Sequence, residues 1–218
     1  MDIQQDGITL QKAWEGFKPK KYPDGNGYSI GYGTHIDTPG EQYLLNATIT
    51  QEQGETLLMN DNRKQFIPTI QKYIKVPLTQ HQFHGLLDLV YNVGPQCLFV
   101  GGKTTGLCNA INSQNTALIV AKFRAYNKVR NKQGIISTSS YQTKRREADV
   151  QMFLYGKIQK PNGTLINPTD NGLTIVSEGK ITLIQYILGS FLIIGGGFLA
   201  YKQGVFKHFS FKKIFTRK

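Results

Sequence analysis

The sequence has few of the residues that mark a disulfide-stabilised or metal-dependent domain. Its 218 residues include two cysteines and four histidines, and the histidines lack metal-ligand spacing with cysteines or acids. Because two cysteines imply no disulfide framework, we expect Cys97 and Cys108 to be buried or free thiols, with a disulfide as the alternative. His81 and His84 lie three apart on one predicted helical face, which is more typical of a solvated surface than of a metal site. We therefore predict no metal and no cofactor.

Acidic residues are also scarce, since 14 Asp and Glu stand against 26 Lys and Arg, for a formal net charge of +12 at pH 7. Such an excess favours anionic partners, of which nucleic acids are one class. No recognised nucleic-acid-binding motif accompanies the charge, so we predict that nucleic acid is not a partner. Part of the excess forms a stretch without acids, made of Lys122, Arg124, Lys128, Arg130, Lys132, Lys144, Arg145 and Arg146.

A short helix is predicted near the start of the chain. Its apolar residues fall at positions i, i+3, i+4 and i+7, which is one face of a helix: Leu10, Ala13, Trp14 and Phe17. Asp6 is the predicted N-cap, and Gly16 with Pro19 ends the pattern. Glu15 then lies in the last turn, beside the buried stripe. Partial burial there would raise the pKa of this carboxyl, as a general acid requires.

A second carboxylate follows in a turn. Asp24-Gly-Asn-Gly27 lies between Tyr22 and the run from Tyr28 to Tyr32, and this pattern predicts a β-hairpin. Two carboxylates held by a helix end and a hairpin meet the needs of glycoside hydrolysis. One keeps its proton for the leaving oxygen, and the other stays charged to support the cationic transition state or its water.

This stretch resembles the active-site signature of the phage-type lysozymes, glycoside hydrolase family 24, which reads Glu-Gly, Tyr-x-Asp and Gly-x-x-Thr-Ile-Gly-Tyr-Gly-His. By resemblance, Glu15 is the general acid and Asp24, at the family spacing, the second catalytic residue, with Ser29 on the family's Thr. Four residues rather than five separate Asp24 from Ser29, and Thr34 stands where the family has His. We predict Glu15, Asp24 and Ser29 as catalytic residues and assign Tyr32 to substrate binding.

The resemblance extends from about residue 7 to 156. Residues 78–94 look like the family's central helix, with Thr79 and Gln82 as a capping-box pair. Thr50 and Gln53 form an earlier capping-box pair. Residues 144–148 resemble the family's late Arg-Arg-x-x-Glu element. We expect Arg145 or Arg146 to reach a catalytic carboxylate; spacing does not choose between them, and we assign Arg145 to the substrate site.

The implied fold is α+β and lysozyme-like: a mostly helical domain over residues 1–157, with a small β-hairpin beside the catalytic cleft. The implied activity is that of a muramidase, hydrolysing the β-1,4 bond between N-acetylmuramic acid and N-acetylglucosamine in bacterial peptidoglycan with inversion. Two alternatives stay open at this point. One is a lytic transglycosylase acting on the same bond, and the other is a non-catalytic peptidoglycan-binding membrane protein.

The character of the sequence changes near residue 157. Residues 158–180 are rich in Asn, Pro, Gly and Thr and predict a linker. Residues 181–201 carry no charge over 21 positions, which predicts a single transmembrane helix. Gly196 and Ala200 within it are four apart, a spacing that favours helix association. Residues 202–218 form a basic tail without acids, which predicts that the tail faces the cytoplasm or an equivalent anionic surface.

The predicted location is a membrane. The first residues have neither a basic n-region nor an apolar h-region, so we expect no cleavable secretion signal. An enzyme of this class must still reach peptidoglycan, in host-wall penetration or in lysis. Delivery in the internal membrane of a phage virion meets this need and is the location we favour. Insertion in the host cell membrane until lysis is the alternative.

Overall fold

The first helix places Glu15 in its last turn, as predicted. Helix α1 runs from Gln5 to Glu15, buries Leu10 and Trp14, and ends at Gly16, whose φ is +68°. The prediction of Asp6 as N-cap is wrong. The extended residue before the helix is Gln4, which makes no side-chain cap. Asp6 lies within the first turn instead, where a carboxylate interacts favourably with the helix dipole.

The computed structural model describes residues 1–25, 27–36, 40–131 and 133–167, together with the backbone of 191–194 and 197–200. The chain divides into two units, Met1–Thr169 and Asp170–Lys218. The candidate site lies wholly in the first unit.

A three-stranded antiparallel sheet follows α1 and confirms the predicted hairpin. Strands β1 (Lys18–Asp24), β2 (Gly27–Gly31) and β3 (Thr34–His35) lie in the order β1-β2-β3. Tyr22 pairs with Ser29, and Asp24 pairs with Gly27 at the turn. The sheet covers a small apolar cluster of Ile30, Ile36, Leu44 and Ile49. A 3₁₀ turn at Gln42–Asn46 completes this lobe.

A long helical segment leads from the sheet lobe to the helical lobe. Helix α2 (Gln51–Asp61) begins with the predicted capping box of Thr50 and Gln53. It continues through a π-helical turn, Asn62–Phe66, into α3 (Ile67–Tyr73). A π-turn inserts one extra residue into the helix and so changes which side chains face a given side.

The helical lobe is built around α4 (Gln80–Val93) and α7 (Ser140–Tyr155), which pack against each other. The predicted capping box of Thr79 and Gln82 is present, and Gly94 ends α4. Around these helices lie short elements: a 3₁₀ turn at Pro95–Cys97, β4 (Phe99–Val100), β5 (Lys103–Thr104), α5 (Gly106–Asn112), α6 (Thr116–Ala125), β6 (Lys128–Arg130) and β7 (Ile136–Thr138).

For three residues in the core of this lobe, the structure decides between two predicted states or corrects a prediction. Cys97 and Cys108 are free and fully buried, which confirms the thiol prediction over the disulfide. Burial raises the pKa of Cys97 to about 12. His84 is only 3% exposed, so its assignment to a solvated surface is wrong. Its ring nitrogen Nε2 accepts a hydrogen bond from the backbone N–H of Gln4 at 3.1 Å. This bond joins the start of the chain to α4.

The first unit extends past the predicted boundary at residue 157. Strands β8 (Ile158–Gln159) and β9 (Leu165–Ile166) pair within the predicted linker. Ile158 packs with Leu10 and Trp14, and the indole N–H of Trp14 donates to the carbonyl of Gln159 at 2.9 Å. An apolar residue within a polar stretch therefore continues the core.

Most of the predicted transmembrane helix, and the whole basic tail at 202–218, lie outside the described residues. Within 181–201 the structure describes β10 (Phe191–Ile194) and β11 (Gly197–Ala200), which pair antiparallel and are not helical. No helix in the part of the chain that the structure describes has the length and apolarity needed to cross a membrane. Gly196, one of the two residues predicted to favour helix association, is outside the described residues.

Candidate active site

Glu15 is held by Arg145, a residue of α7. Nη2 of Arg145 donates to Oε1 of Glu15 at 2.5 Å. The same guanidinium forms a two-pronged contact with Asp88 of α4, with both hydrogen bonds 3.0 Å long. Of the two arginines expected to reach a predicted catalytic carboxylate, Arg145 is therefore the one that contacts Glu15. Asp88 and Arg145 are fully buried, so the end of α1 is tied to the two central helices of the lobe.

The neighbouring Arg146 reaches a different part of the site. Its Nη2 donates to Oδ1 of Asn92 at 2.9 Å, and its Nε lies 2.9 Å from Oδ2 of Asp149. Burial and the nearby Asp88 hold the pKa of Asp149 well above its usual range. Two arginines thus pass through the core to orient two polar groups, Glu15 and Asn92, at its surface.

Asp24 is oriented by Ser29 across the hairpin. The hydroxyl of Ser29 donates to Oδ2 of Asp24 at 2.8 Å. Ser29 has no exposed surface, whereas Asp24 lies at the exposed end of β1. The shortened turn therefore still brings the two side chains into contact. Ser29 is enclosed, so it contacts Asp24 but has no surface exposed to the cleft.

Glu15 and Asp24 line one cleft of about 330 Å³ between the sheet lobe and the helical lobe. The other lining residues are Tyr22, Gly33, His35, Asp61, Gln65, Phe66, Tyr91 and Asn92. Polar groups predominate, and they come from the sheet, the π-turn and the end of α4. A cleft of this kind matches a polar, hydroxyl-rich ligand better than an apolar one.

The environment of Glu15 favours its protonated form. Burial raises the pKa of the Glu15 carboxyl, although the charge of Arg145 acts in the opposite direction. The Glu15 side chain keeps 19% of its surface exposed. Arg145 occupies Oε1, and a Cβ built on Gly33 at the cleft wall would lie 3.9 Å from Oε2. Oε1 is therefore the oxygen bound by Arg145, and Oε2 lies near Gly33 at the cleft wall.

The two residues predicted to bind substrate, Tyr32 and Arg145, are buried in the structure. Tyr32 is 4% exposed, packs on Phe17 with ring centroids 5.3 Å apart, and does not line the cleft. Tyr32 directly follows the last residue of β2, and its ring points into the core. Arg145 is 1% exposed, so it positions Glu15 and has no surface for a substrate.

The sequence did not single out Asp61 and Tyr91 as residues of the site. The hydroxyl of Tyr91 donates to the carbonyl of Tyr32 at 2.9 Å, which fixes the turn that carries Gly33. Tyr91 lies within residues 78–94, so their resemblance to the family's central helix was the signal that could have indicated it. Asp61 had none, because it reaches the cleft only through the packing of α2 against the sheet.

Comparison with known proteins agrees with this architecture. A family model described as phage lysozyme matches residues 12–149. The endolysin of Bacillus phage PZA is 34% identical over 142 residues, covering 63% of this chain and 52% of that protein. The endolysin of Acyrthosiphon pisum secondary endosymbiont phage 1 is 32% identical over 155 residues, covering 70% of this chain and 98% of that protein.

The structural likeness has the same extent. The endolysin from Escherichia coli O157:H7 phage FAHEc1 superimposes with a TM-score of 0.64 at 30% identity, covering 73% of this chain and 98% of that chain. This confirms the predicted lysozyme-like α+β fold. The chain spans about half the length of the two Bacillus phage endolysins it matches, 52% and 56%. With the paired carboxylates in their cleft, these matches show that the chain belongs to the phage lysozyme family.

Proposed function

We propose that the chain is a muramidase that hydrolyses the β-1,4 bond between N-acetylmuramic acid and N-acetylglucosamine in peptidoglycan. The observation that carries the proposal is the asymmetry of Glu15, whose Oε1 is bound by Arg145 while Oε2 lies near Gly33 at the cleft wall. Membership of the phage lysozyme family supports the choice of substrate.

In this mechanism Glu15 gives the proton on Oε2 to the glycosidic oxygen as the bond to the sugar carbon breaks. Asp24, oriented by Ser29, accepts a proton from a water molecule as that water attacks the same carbon. Water thus supplies the hydroxyl of the new reducing end, and proton exchange with solvent restores both carboxyl groups. This division of labour is that of an inverting glycosidase.

A lytic transglycosylase is the alternative chemistry, because it needs one glutamic acid and no water-activating partner. The hydrogen bond from Ser29 orients Asp24, which lines the same cleft as Glu15, and this arrangement favours hydrolysis. The two reactions leave different ends on the glycan. Hydrolysis leaves a reducing N-acetylmuramic acid, and transglycosylation leaves its anhydro form.

The decisive experiment is mass spectrometry of muropeptides released from purified peptidoglycan by the full chain. We expect reducing ends, and a loss of activity of about 10³-fold in Glu15→Gln, in the range typical of a lost general acid. Glu52→Gln changes an exposed carboxyl of α2 and serves as the matched control. Anhydro ends would make the enzyme a transglycosylase. Binding without any released product would favour the non-catalytic reading.

We further propose that residues 181–201 anchor the enzyme in a membrane for host-wall penetration or lysis. The support is sequence alone: 21 uncharged residues followed by a tail with six basic residues and no acid. Flotation of the full chain with lipid vesicles tests this, and Leu183→Lys with Ile187→Lys should abolish it, whereas Leu165→Lys in β9 should not. Unchanged flotation in the double variant would contradict the anchor.

The virion membrane is the location we favour, with the host cell membrane as the alternative. Quantitative mass spectrometry of purified virions and of infected-cell membranes separates the two. Enrichment in virions is the expected result. Recovery in host membranes alone would indicate that the enzyme acts in lysis.

A further inference from the structure

A third carboxyl group lies in the cleft beside the catalytic pair. Asp61 is the last residue of α2, and the π-turn that follows places Gln65 and Phe66 on the same wall. The Asp61 side chain is almost enclosed, at 5% exposure, yet it lines the cleft. The mechanism above makes no use of it.

One oxygen of this carboxyl is occupied and the other is available to a ligand. The hydroxyl of Thr34 donates to Oδ2 of Asp61 at 2.6 Å. This is the one hydrogen bond to the carboxyl among the residues that the structure describes. Thr34 is itself fully buried and lies on β3, so Asp61 is fixed against the sheet with Oδ1 left over.

The charges around Asp61 do little to stabilise its ionised form. Glu41, also 5% exposed, is a like charge that disfavours ionisation. Lys64 of the π-turn acts in the opposite direction, but it is largely exposed and lies 3.6 Å from Glu41. Burial is the largest influence, and with Glu41 it raises the pKa of Asp61 to about 6, against the opposing effect of Thr34.

The carboxyls and phenol of the cleft surround the same space. Glu15 and Asp24 line it with Asp61, and so does His35. Glu15 and Asp61 both raise the pKa of Tyr91, in addition to the effect of burial. The phenol therefore lies close enough to interact with both carboxyls. A sugar bound for cleavage at Glu15 therefore comes within reach of Asp61.

We infer that Asp61 is a glycan-binding residue, whose Oδ1 accepts a hydrogen bond from the acetamido N–H of a sugar seated in the cleft. This inference rests on the proposed muramidase function and deepens it. An amide N–H only donates, so it requires an acceptor. Because Thr34 donates to Oδ2, Oδ1 is the acceptor that remains for a ligand. A buried carboxylate that is poorly compensated by its neighbours is retained at a loss of stability, which is typical of a ligand site.

The inference makes substrate binding, and not the chemical step, depend on the ionisation of Asp61. Below about pH 6 the carboxyl of Asp61 is neutral and a weaker acceptor, so KM should rise as pH falls. The chemical step does not involve Asp61, so kcat should not share this dependence. In Asp61→Asn the amide oxygen accepts from Thr34 and the amide NH₂ faces the cleft. Two donors then meet, and KM should rise about 10-fold at pH 7, the factor expected for a lost hydrogen bond to a charged group.

Two further variants should move the pH dependence in opposite directions. Glu41→Gln removes the like charge, lowers the pKa of Asp61 and moves the inflection in KM to lower pH. Thr34→Val removes the donor, raises the pKa and moves the inflection to higher pH. A purely structural role for Asp61 predicts neither shift.

The experiment measures KM and kcat of the full chain on solubilised peptidoglycan from pH 5 to 8, for the parent and the three variants. Binding of the Glu15→Gln chain to sedimented peptidoglycan over the same range gives a readout independent of catalysis. A KM that does not change with pH in the parent, or an Asp61→Asn variant with the parent's KM, would overturn the inference. A parent that binds with this pH dependence but cleaves nothing would refute the muramidase and leave the role of Asp61 supported.

Discussion

Arg145 and Glu15 are 130 positions apart in the sequence and share a hydrogen bond of 2.5 Å. The same guanidinium is anchored by both oxygens of Asp88, so its position does not depend on Glu15. Asp88 therefore fixes the cation that Glu15 faces. A change in the protonation state of Glu15 leaves the pair of Arg145 and Asp88 in place.

Replacing Arg145 should therefore change both the acidity of Glu15 and the stability of the domain. Arg145 lowers the pKa of Glu15, so Arg145→Gln should raise it further and move the alkaline limb of kcat to higher pH. Asp88 would be left buried without its cation, a change of about 3–5 kcal/mol in the free energy of unfolding. A pH–rate profile and chemical denaturation measure the two effects.

The control for this variant is Arg124→Gln. Arg124 pairs with Glu147 on the surface, where ion pairs contribute less than about 1 kcal/mol. An alkaline limb that stays in place in Arg145→Gln would show that Arg145 does not tune Glu15.

Asp61→Asn should stabilise the protein at neutral pH. The native pKa of about 6 lies above the ordinary value of 3.8, so the folded state binds the proton more tightly than the unfolded state. Stability attributable to Asp61 is greatest below pH 3.8 and is lost as pH rises through 6. The difference corresponds to about 3 kcal/mol.

Thermal unfolding at pH 8 and at pH 4 measures this effect. We expect a gain for Asp61→Asn at pH 8 that shrinks toward zero at pH 4. A variant that is less stable than the parent at pH 8 would show that the carboxylate is compensated in the folded state.

His84 should make the domain sensitive to acid. Burial lowers the pKa of its imidazole from 6.5 to about 4, so the unfolded state binds a proton first as pH falls. Its contribution is fully present above pH 6.5 and is lost as pH falls toward 4, by about 3 kcal/mol.

We expect His84→Gln to flatten the dependence of unfolding free energy on pH between 6.5 and 4, measured by urea denaturation. His81→Gln, three residues earlier in α4, is the matched control. An equally steep dependence in His84→Gln would assign the acid sensitivity to other groups.

Gly85 should not tolerate a methyl group. A Cβ at this position of α4 would lie 2.7 Å from both the carbonyl oxygen of Asp149 and the backbone nitrogen of Phe153 in α7. Because both atoms belong to a helix backbone, Gly85→Ala must push the helices apart, at roughly 3 kcal/mol.

Gly7→Ala is the comparison, since its closest contacts are side-chain atoms of His84 at 2.8 Å and Ile3 at 3.1 Å. Side chains can move, so this variant should lose less stability in the same denaturation experiment. Equal losses at the two positions would contradict the distinction between backbone and side-chain contacts.

Local signals in the sequence were sufficient for much of the site. The helix ending at Glu15, the hairpin joining Asp24 to Ser29, and the two capping boxes all depend on residues within a few positions of one another. Each of these elements was predicted and is present. Such features depend on short-range spacing, because helix propensity and turn chemistry act between residues that are close in the sequence.

Features that arise from packing between elements were not predicted. Asp61 is 46 positions from Glu15 and lines the cleft through the packing of α2 against the sheet. Asp88 gave a partial signal, as an acid within the apolar run of α4, but its partner lies 57 residues away. Tyr32 was assigned to substrate binding, whereas its side chain is buried and packs against Phe17.

The buried thiols of Cys97 and Cys108 have a consequence for where the domain can fold. No covalent cross-link between them holds the fold together, and a pKa of about 12 keeps Cys97 out of its reactive thiolate form. The domain therefore needs no oxidant to reach its final structure. A change of redox potential removes no cross-link between these two residues.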